Sequence, residues 1–281
     1  MRHSAYDTST LTQVGDDLFS EGITQIARHA HDHLLRPGGL FVPARARVFA
    51  ALCSLRVRQC SGFNLCAFNA FRSNAQSWVD IEHIAATDVF DGQHAELLSA
   101  PVHLFDFDFT TAANLPQKCH VELDAIASSS GVLNCVTFWY ELDLGDGMEK
   151  IDLGPNLRSP RPFEQRARRQ QMRYVGYERC VRVGDAVRLV ASYDGSNKII
   201  VDAPPDTAAE AAGRLIRWPS INLLAYHFPM IADEGRNGAF DRALRAAVRR
   251  FSEAHGGRGP RVLDIGSGAA FIRTQAVVLE H

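Results

Sequence analysis

The pattern with the clearest chemistry lies near the end of the chain. Residues 261–265 (RVLDI) form a short apolar run carrying an acid, Asp264, that opens directly into Gly266-Ser267-Gly268-Ala269-Ala270. Glycine has no Cβ and tolerates backbone angles other residues avoid, so such a turn lets the main chain lie close against a ligand. Any tight strand-to-helix turn asks for the same residues, and Ala270 stands where a third glycine would complete the pattern. Two further charges sit where helices begin. Glu21 opens a helical run, where the macrodipole alone favours a carboxylate, and Arg236 lies in a second one, where a solvated guanidinium is equally ordinary. Cysteines 53, 60, 66, 119, 135 and 180 form no C-x-x-C pair, so a structural metal site is not expected.

These residues need elements to carry them. Over residues 21–35, Ile23, Ile26, Ala27, Ala30 and Leu34 recur at helical spacing until Pro37-Gly38-Gly39 stops the run. A short buried strand is expected at 40–42, then an extended run at 45–52. From about 43 to 203 the period changes to two. His103, Phe105, Phe107 and Phe109 alternate with Leu104, Asp106 and Asp108, and Val132, Asn134, Val136, Phe138, Tyr140 and Leu142 mark a second long strand. Further strands are expected at 118–127, 171–175, 186–192 and 198–201, with Asp194-Gly195-Ser196-Asn197 as a hairpin connection. The sum is an antiparallel β body, a barrel or a sandwich. Residues 155–169, polar and arginine-rich, are expected to be a loop. Past Pro204-Pro205 helix returns: Phe240, Leu244, Ala247, Val248 and Phe251 form one stripe, opposite Arg242, Arg245, Arg249 and Arg250, and end near Gly256-Gly257.

Composition limits the partners. The chain has 281 residues, 46% hydrophobic, and a formal charge of -2, so it can bury a large core and has no bulk attraction to nucleic acid or anionic membrane. Lysines occur only at 118, 150 and 198; the arginine bias reads as coding bias ahead of phosphate recognition. No stretch nears the roughly 18 apolar residues of a membrane span, and no secretory apolar segment opens the chain. Reduced thiols and a cytoplasmic or also nuclear location are expected.

Taken with its surroundings, VLDIGSG is similar to the first motif of class I S-adenosylmethionine methyltransferases. About 30 residues earlier, residues 226–237 (YHFPMIADEGRN) resemble the opening helix of protein arginine methyltransferases. Residues 18–22 (LFSEG), 35–39 (LRPGG) and Val42-Pro43 resemble that family's glutamate loop and the strands after it. Residues 63–72 (FNLCAFNAFR) and 105–109 (FDFDF) look like the barrel of its tandem, type III-like branch. The resemblance implies S-adenosylmethionine as cofactor, with Met230 against its sulfur, Arg236 meeting its carboxylate, and Asp264, Gly266 and Gly268 forming the loop beneath it. A planar guanidinium suits a carboxylate because it can bind with two charge-assisted bonds. It also implies Glu21 as a catalytic carboxylate clamping a substrate arginine. Two departures stand out. Thr12 occupies the place of the family's first glutamate, nine residues before Glu21, and Ala167-Arg168-Arg169 replace its Thr-His-Trp loop.

On this reading the fold is α+β: an antiparallel β-barrel domain flanked by partial class I methyltransferase (Rossmann-like) α/β segments. Residues 1–42 are the C-terminal remnant of a first α/β fold, 43–203 the barrel substrate domain, and 204–281 the start of a second module. That order implies an internal fragment of a tandem enzyme, with impaired or no activity alone. Its partner is expected to be an arginine-containing protein, with a pseudo-dimer formed by the rest of the tandem enzyme. The competing expectation is a noncatalytic β module serving interaction or packing.

Overall fold

A computed structural model describes residues 6–10, 14–15, 17–56, 59–60, 63–64, 66, 76–79, 94–145, 147–148, 150–156, 170–208 and 233–260. Strands dominate, with few helices. Strand β1 (Tyr6–Thr10) precedes helix α1 (Ile23–His29), whose apolar Ile23 and Ala27 are fully buried. The helix widens at Ala30–Leu34 into a π turn, in which the Leu35 amide reaches back to the Ala30 carbonyl. The helical period is thus spent by Leu34, and β2 (Leu35–Val42) starts five residues before the strand expected at 40–42. It carries Pro37, tolerated where no ladder bond is needed. Strands β1 and β2 pair in parallel, as a β–helix–β connection requires.

The β body starts with β3 (Arg45–Arg56), β4 (Gln59–Cys60), β5 (Phe63–Asn64), β6 (Gln76–Val79), β7 (His94–Leu97) and β8 (Val102–Asp108). It continues with β9 (Cys119–Ile126), β10 (Gly131–Asp143), β11 (Ile151–Asp152), β12 (Gln170–Val181), β13 (Ala186–Tyr193) and β14 (Ile199–Asp202). One sheet runs β6-β12-β10-β3-β7, with β8 also on β3 and β11 on β10; a second runs β14-β13-β9. Strands β7 and β8 flank successive stretches of β3, so they act as one edge strand broken between Leu98 and Pro101. The ladders of the described residues form separate sheets and do not close into a barrel. The sheets nevertheless share one core: Val48, Ala50, Val136 and Phe138 from the first join Ala125, Val187, Leu189 and Tyr193 from the second.

Two local features depart from simple alternation. The β3–β8 register slips between Val48 and Phe49, so Leu104 and Phe105 are both buried while His103 turns outward beside Asp106. In β10 a slip next to Asn134 leaves that side chain buried, where it accepts from the Leu55 amide (2.9 Å) and donates to the Leu55 carbonyl (3.0 Å). The amide imitates a strand and satisfies both of its polar ends. Strand β10 is covered on both faces, the second by a smaller cluster of Cys53, Leu55, Cys135, Met172 and Tyr174.

Helix α2 (Glu234–Ala254) is capped by Asp233, whose carboxylate accepts from the Arg236 amide (2.9 Å). Its stripe is present, but Phe240 is exposed and Leu244, Val248 and Phe251 are half-buried. Among the described residues no helix is long and apolar enough to cross a membrane.

Candidate functional site

The loop before α1 is built from the inside out. Leu18 and Phe19 are completely buried, while Ser20 and Glu21 are exposed. Two turns set this alternation: the Leu18 amide donates to the Gly15 carbonyl (2.9 Å), and the Gly22 amide to the Phe19 carbonyl (2.8 Å). Asp17 closes the bend by accepting from the Ser20 amide (2.8 Å). A side chain at Gly15 would displace the Ser20 hydroxyl and approach the Ser20 amide to 3.1 Å, so glycine lets the turn pack this closely. Leu18 itself sits at φ 76, a left-handed conformation that a leucine holds only when its surroundings impose it.

Those surroundings are aromatic. Phe19 stacks on Tyr193 (centroids 4.2 Å apart, planes at 26°) and meets Phe107 edge-on at 4.9 Å, with Phe109 at 6.4 Å. The Tyr140 hydroxyl donates to the Gly15 carbonyl at 2.7 Å. The Tyr193 hydroxyl donates to the Ser196 carbonyl (3.1 Å), so its contact with the buried Thr24 hydroxyl (2.9 Å) has Thr24 as donor. Burial pushes the Tyr193 phenol above its ordinary pKa, aided by Asp194 and Cys119 and opposed by Thr24 and Arg28. The group stays neutral and remains a donor. On the far side of α1, the His31 ring is bound to the Phe109 carbonyl at 2.8 Å. The loop, α1 and the β body therefore share one interior, and Glu21 projects from its rim into solvent. Among the described residues this carboxylate forms no ion pair, so a cation could approach it without first breaking one.

Of the other residues singled out by sequence, only Arg236 is described. It lies in the first turn of α2, exposed, with one guanidinium nitrogen 3.4 Å from the Asn237 side-chain oxygen. Met230, Asp264, Gly266 and Gly268 lie outside the described residues, as do Thr12 and positions 167–169. No hydrogen bond or ion pair joins Glu21 to Arg236 among the described residues. Sequence reasoning did not single out Tyr140 and Tyr193 as parts of this site. Their only signal was a hydroxyl on otherwise apolar strand positions, which gives no hint of the partner.

Two open clefts of about 350 and 330 Å³ lie on the β body and share no residue with this loop. The larger runs along a cross-strand charge ladder in which Arg45 reaches Asp108 (3.7 Å) and Asp143 (3.9 Å) and Arg47 pairs with Glu141. Exposed pairs of this sort contribute little each, and opposite charges already answer one another there. We therefore place the candidate site at the Glu21 loop. Among the described residues no cluster of three metal-binding side chains occurs.

Comparison with known proteins gives the site a context. No protein-family model matches the chain. It is 24% identical over 268 residues to protein arginine N-methyltransferase 7 of Caenorhabditis briggsae, a match covering 90% of this chain and 38% of that protein. It is 29% identical over 149 residues to the arginine N(omega)-methyltransferase of Streptomyces achromogenes subsp. streptozoticus, covering 50% of this chain and 38% of the relative. The chain thus spans well under half the length of these two relatives. Among solved structures, the Trypanosoma brucei PRMT1 enzyme-prozyme heterotetrameric complex with AdoHcy aligns with a TM-score of 0.46 and 11% identity. That alignment covers 66% of this chain and 59% of the other. Over nine-tenths of its length the chain is thus similar in sequence to protein arginine methyltransferases.

Proposed function

We propose that this chain carries the substrate-side half of a protein arginine N-methyltransferase, with Glu21 as the carboxylate that receives the arginine guanidinium. The observation that carries the reading is the Glu21 loop: an exposed acid on a backbone fixed from within by Gly15, Leu18 and Phe19. An arginine side chain stays protonated at any physiological pH, so it needs a negative group to hold it and choose which nitrogen faces the methyl donor. A preformed carboxylate does this at low reorganisation cost.

S-adenosylmethionine, when bound, would supply a methyl group made electrophilic by the sulfonium. Arg236 fits its carboxylate, being an exposed guanidinium at the start of a helix, with Met230, Asp264, Gly266 and Gly268 as the remaining proposed contacts. The β body serves in this reading as the barrel-type substrate domain. In support, its two sheets meet at two places: a bridge joins Ser99 to Ala127, and Arg173 of β12 pairs with Asp202 of β14 at 3.0 Å.

The test is methyl transfer from tritiated S-adenosylmethionine to an arginine–glycine-rich peptide. Glu21→Gln should abolish transfer while changing stability by less than about 0.5 kcal/mol, because the side chain is exposed. Transfer that survives Glu21→Gln would overturn the assignment. Thr12 in the place of the partner glutamate favours a second reading, a noncatalytic β module of such an enzyme. Calorimetry with S-adenosylmethionine separates the two, since absence of both heat and thermal stabilisation favours the noncatalytic one.

A further inference from the structure

We propose that Tyr140 and Tyr193 are the positioning residues of the Glu21 loop, two phenols delivered by the β body that hold the loop backbone and the start of α1 in one arrangement. The inference rests on the reading of Glu21 as the guanidinium clamp, and it assigns what keeps that carboxylate in place.

The two grips are different and flank Glu21. From β10, the Tyr140 hydroxyl donates to the Gly15 carbonyl at 2.7 Å, and that same oxygen accepts the Leu18 amide at 2.9 Å. One carbonyl uses both of its lone pairs, and the turn that places Leu18 at φ 76 closes on it. From β13, the Tyr193 ring stacks on Phe19 while its hydroxyl receives the Thr24 proton at 2.9 Å. Glu21 lies between Phe19 and Thr24 in the chain, so both ends of its short segment are held by a single side chain.

The chemistry suits the task. Tyr140 is 1% exposed and Tyr193 is fully buried, so neither hydroxyl meets bulk water or a guest. A neutral phenol fixes a carbonyl without adding a charge that would compete with a guanidinium for Glu21. Because both tyrosines sit on strands of the common core, any motion of the β body moves the loop with it.

The experiment uses the whole chain and the variants Tyr140→Phe and Tyr193→Phe, which remove one hydroxyl each and keep the rings. Amide hydrogen exchange is monitored by mass spectrometry over residues 14–26, with β10 and β13 as internal references. Binding of an arginine–glycine-rich peptide is measured by calorimetry. The Leu18 amide should exchange about fivefold faster in Tyr140→Phe, the loss expected for one net hydrogen bond, with the strand amides unchanged. Peptide affinity should fall by a similar factor, with the melting temperature lowered by no more than the few degrees that one hydrogen bond costs. Unchanged exchange over the loop, or an equal rise throughout β10 and β13, would overturn the proposal. If Tyr140→Phe does not fold, Thr24→Val decides, because it deletes the Tyr193 contact from the helix side. A native chain that takes up no peptide defeats the guanidinium reading alone, and the exchange result still decides the positioning.

Discussion

Replacing Phe19 with alanine tests whether the loop truly shares an interior with the β body. Phe19 is fully buried among Tyr193, Phe107 and Phe109, with the nearest centroid at 4.2 Å. Truncating a core phenylalanine costs about 3–5 kcal/mol, and loss of the stacked and edge-on partners, about 0.5–1.5 kcal/mol each, places this site in the upper part of that range. We expect a loss of about 4 kcal/mol. Phe240, 57% exposed on α2, supplies the matched control, and Phe240→Ala should cost about 0.5 kcal/mol or less. The assay is urea unfolding monitored by circular dichroism. With a slope of about 3 kcal/mol per molar, the Phe19→Ala midpoint falls by about 1.3 M. Indistinguishable midpoints for the two variants would refute the single interior and the positioning argument built on it.

Thiol labelling should divide the cysteines: Cys66 and Cys180, both exposed, react at once, whereas Cys53 and Cys135 wait for the body to open, as peptide mapping of the labelled sites will show. Acid titration should expose Asp108. Burial alone would raise its carboxyl, but bonds from Thr110, the Arg45 charge and Asn114 outweigh it and hold its pKa below the ordinary value. A pKa lowered on folding adds stability that is complete above the unfolded value and is lost as pH falls through the folded one. The stability gap between the native chain and Asp108→Asn should therefore be full at neutrality and close below about pH 4. Gly195→Ala should cost about 1–2 kcal/mol in thermal unfolding. It forces a side chain to φ 87 and sets a Cβ 3.2 Å from the Lys118 amide nitrogen.

Much of the β body could be read from residue order. Strands β9, β13 and β14 fall within a residue of where periodicity put them, and the hairpin at Asp194 closes with that carboxylate accepting the Ser196, Asn197 and Lys198 amides. Strand β12 runs to Val181, well beyond Val175, because Gly176 and the charges at 178 and 179 interrupt the apolar signal without interrupting the ladder. The π turn and the slip at Leu104 were invisible for a related reason: each is a one-residue phase error in an otherwise regular pattern. Glu21 was singled out through resemblance to a family loop, and the structure places it exposed just ahead of α1. Its supports were not, since Tyr140 and Tyr193 lie more than a hundred residues away and periodicity carries no information about which distant hydroxyl meets which carbonyl. Met230, Asp264, Gly266 and Gly268 fall outside the described residues.

The contact of Phe19 with Tyr193 also bears on how such proteins can be rearranged. Transplanting residues 43–203 into another host would carry away the tyrosine and abandon its phenylalanine, leaving greasy surface on both products. Recombination, natural or engineered, is better tolerated when the first forty residues travel with the strands as one cassette. Grafting a different loop onto this scaffold would then call for matching a pair of rings before matching any acid.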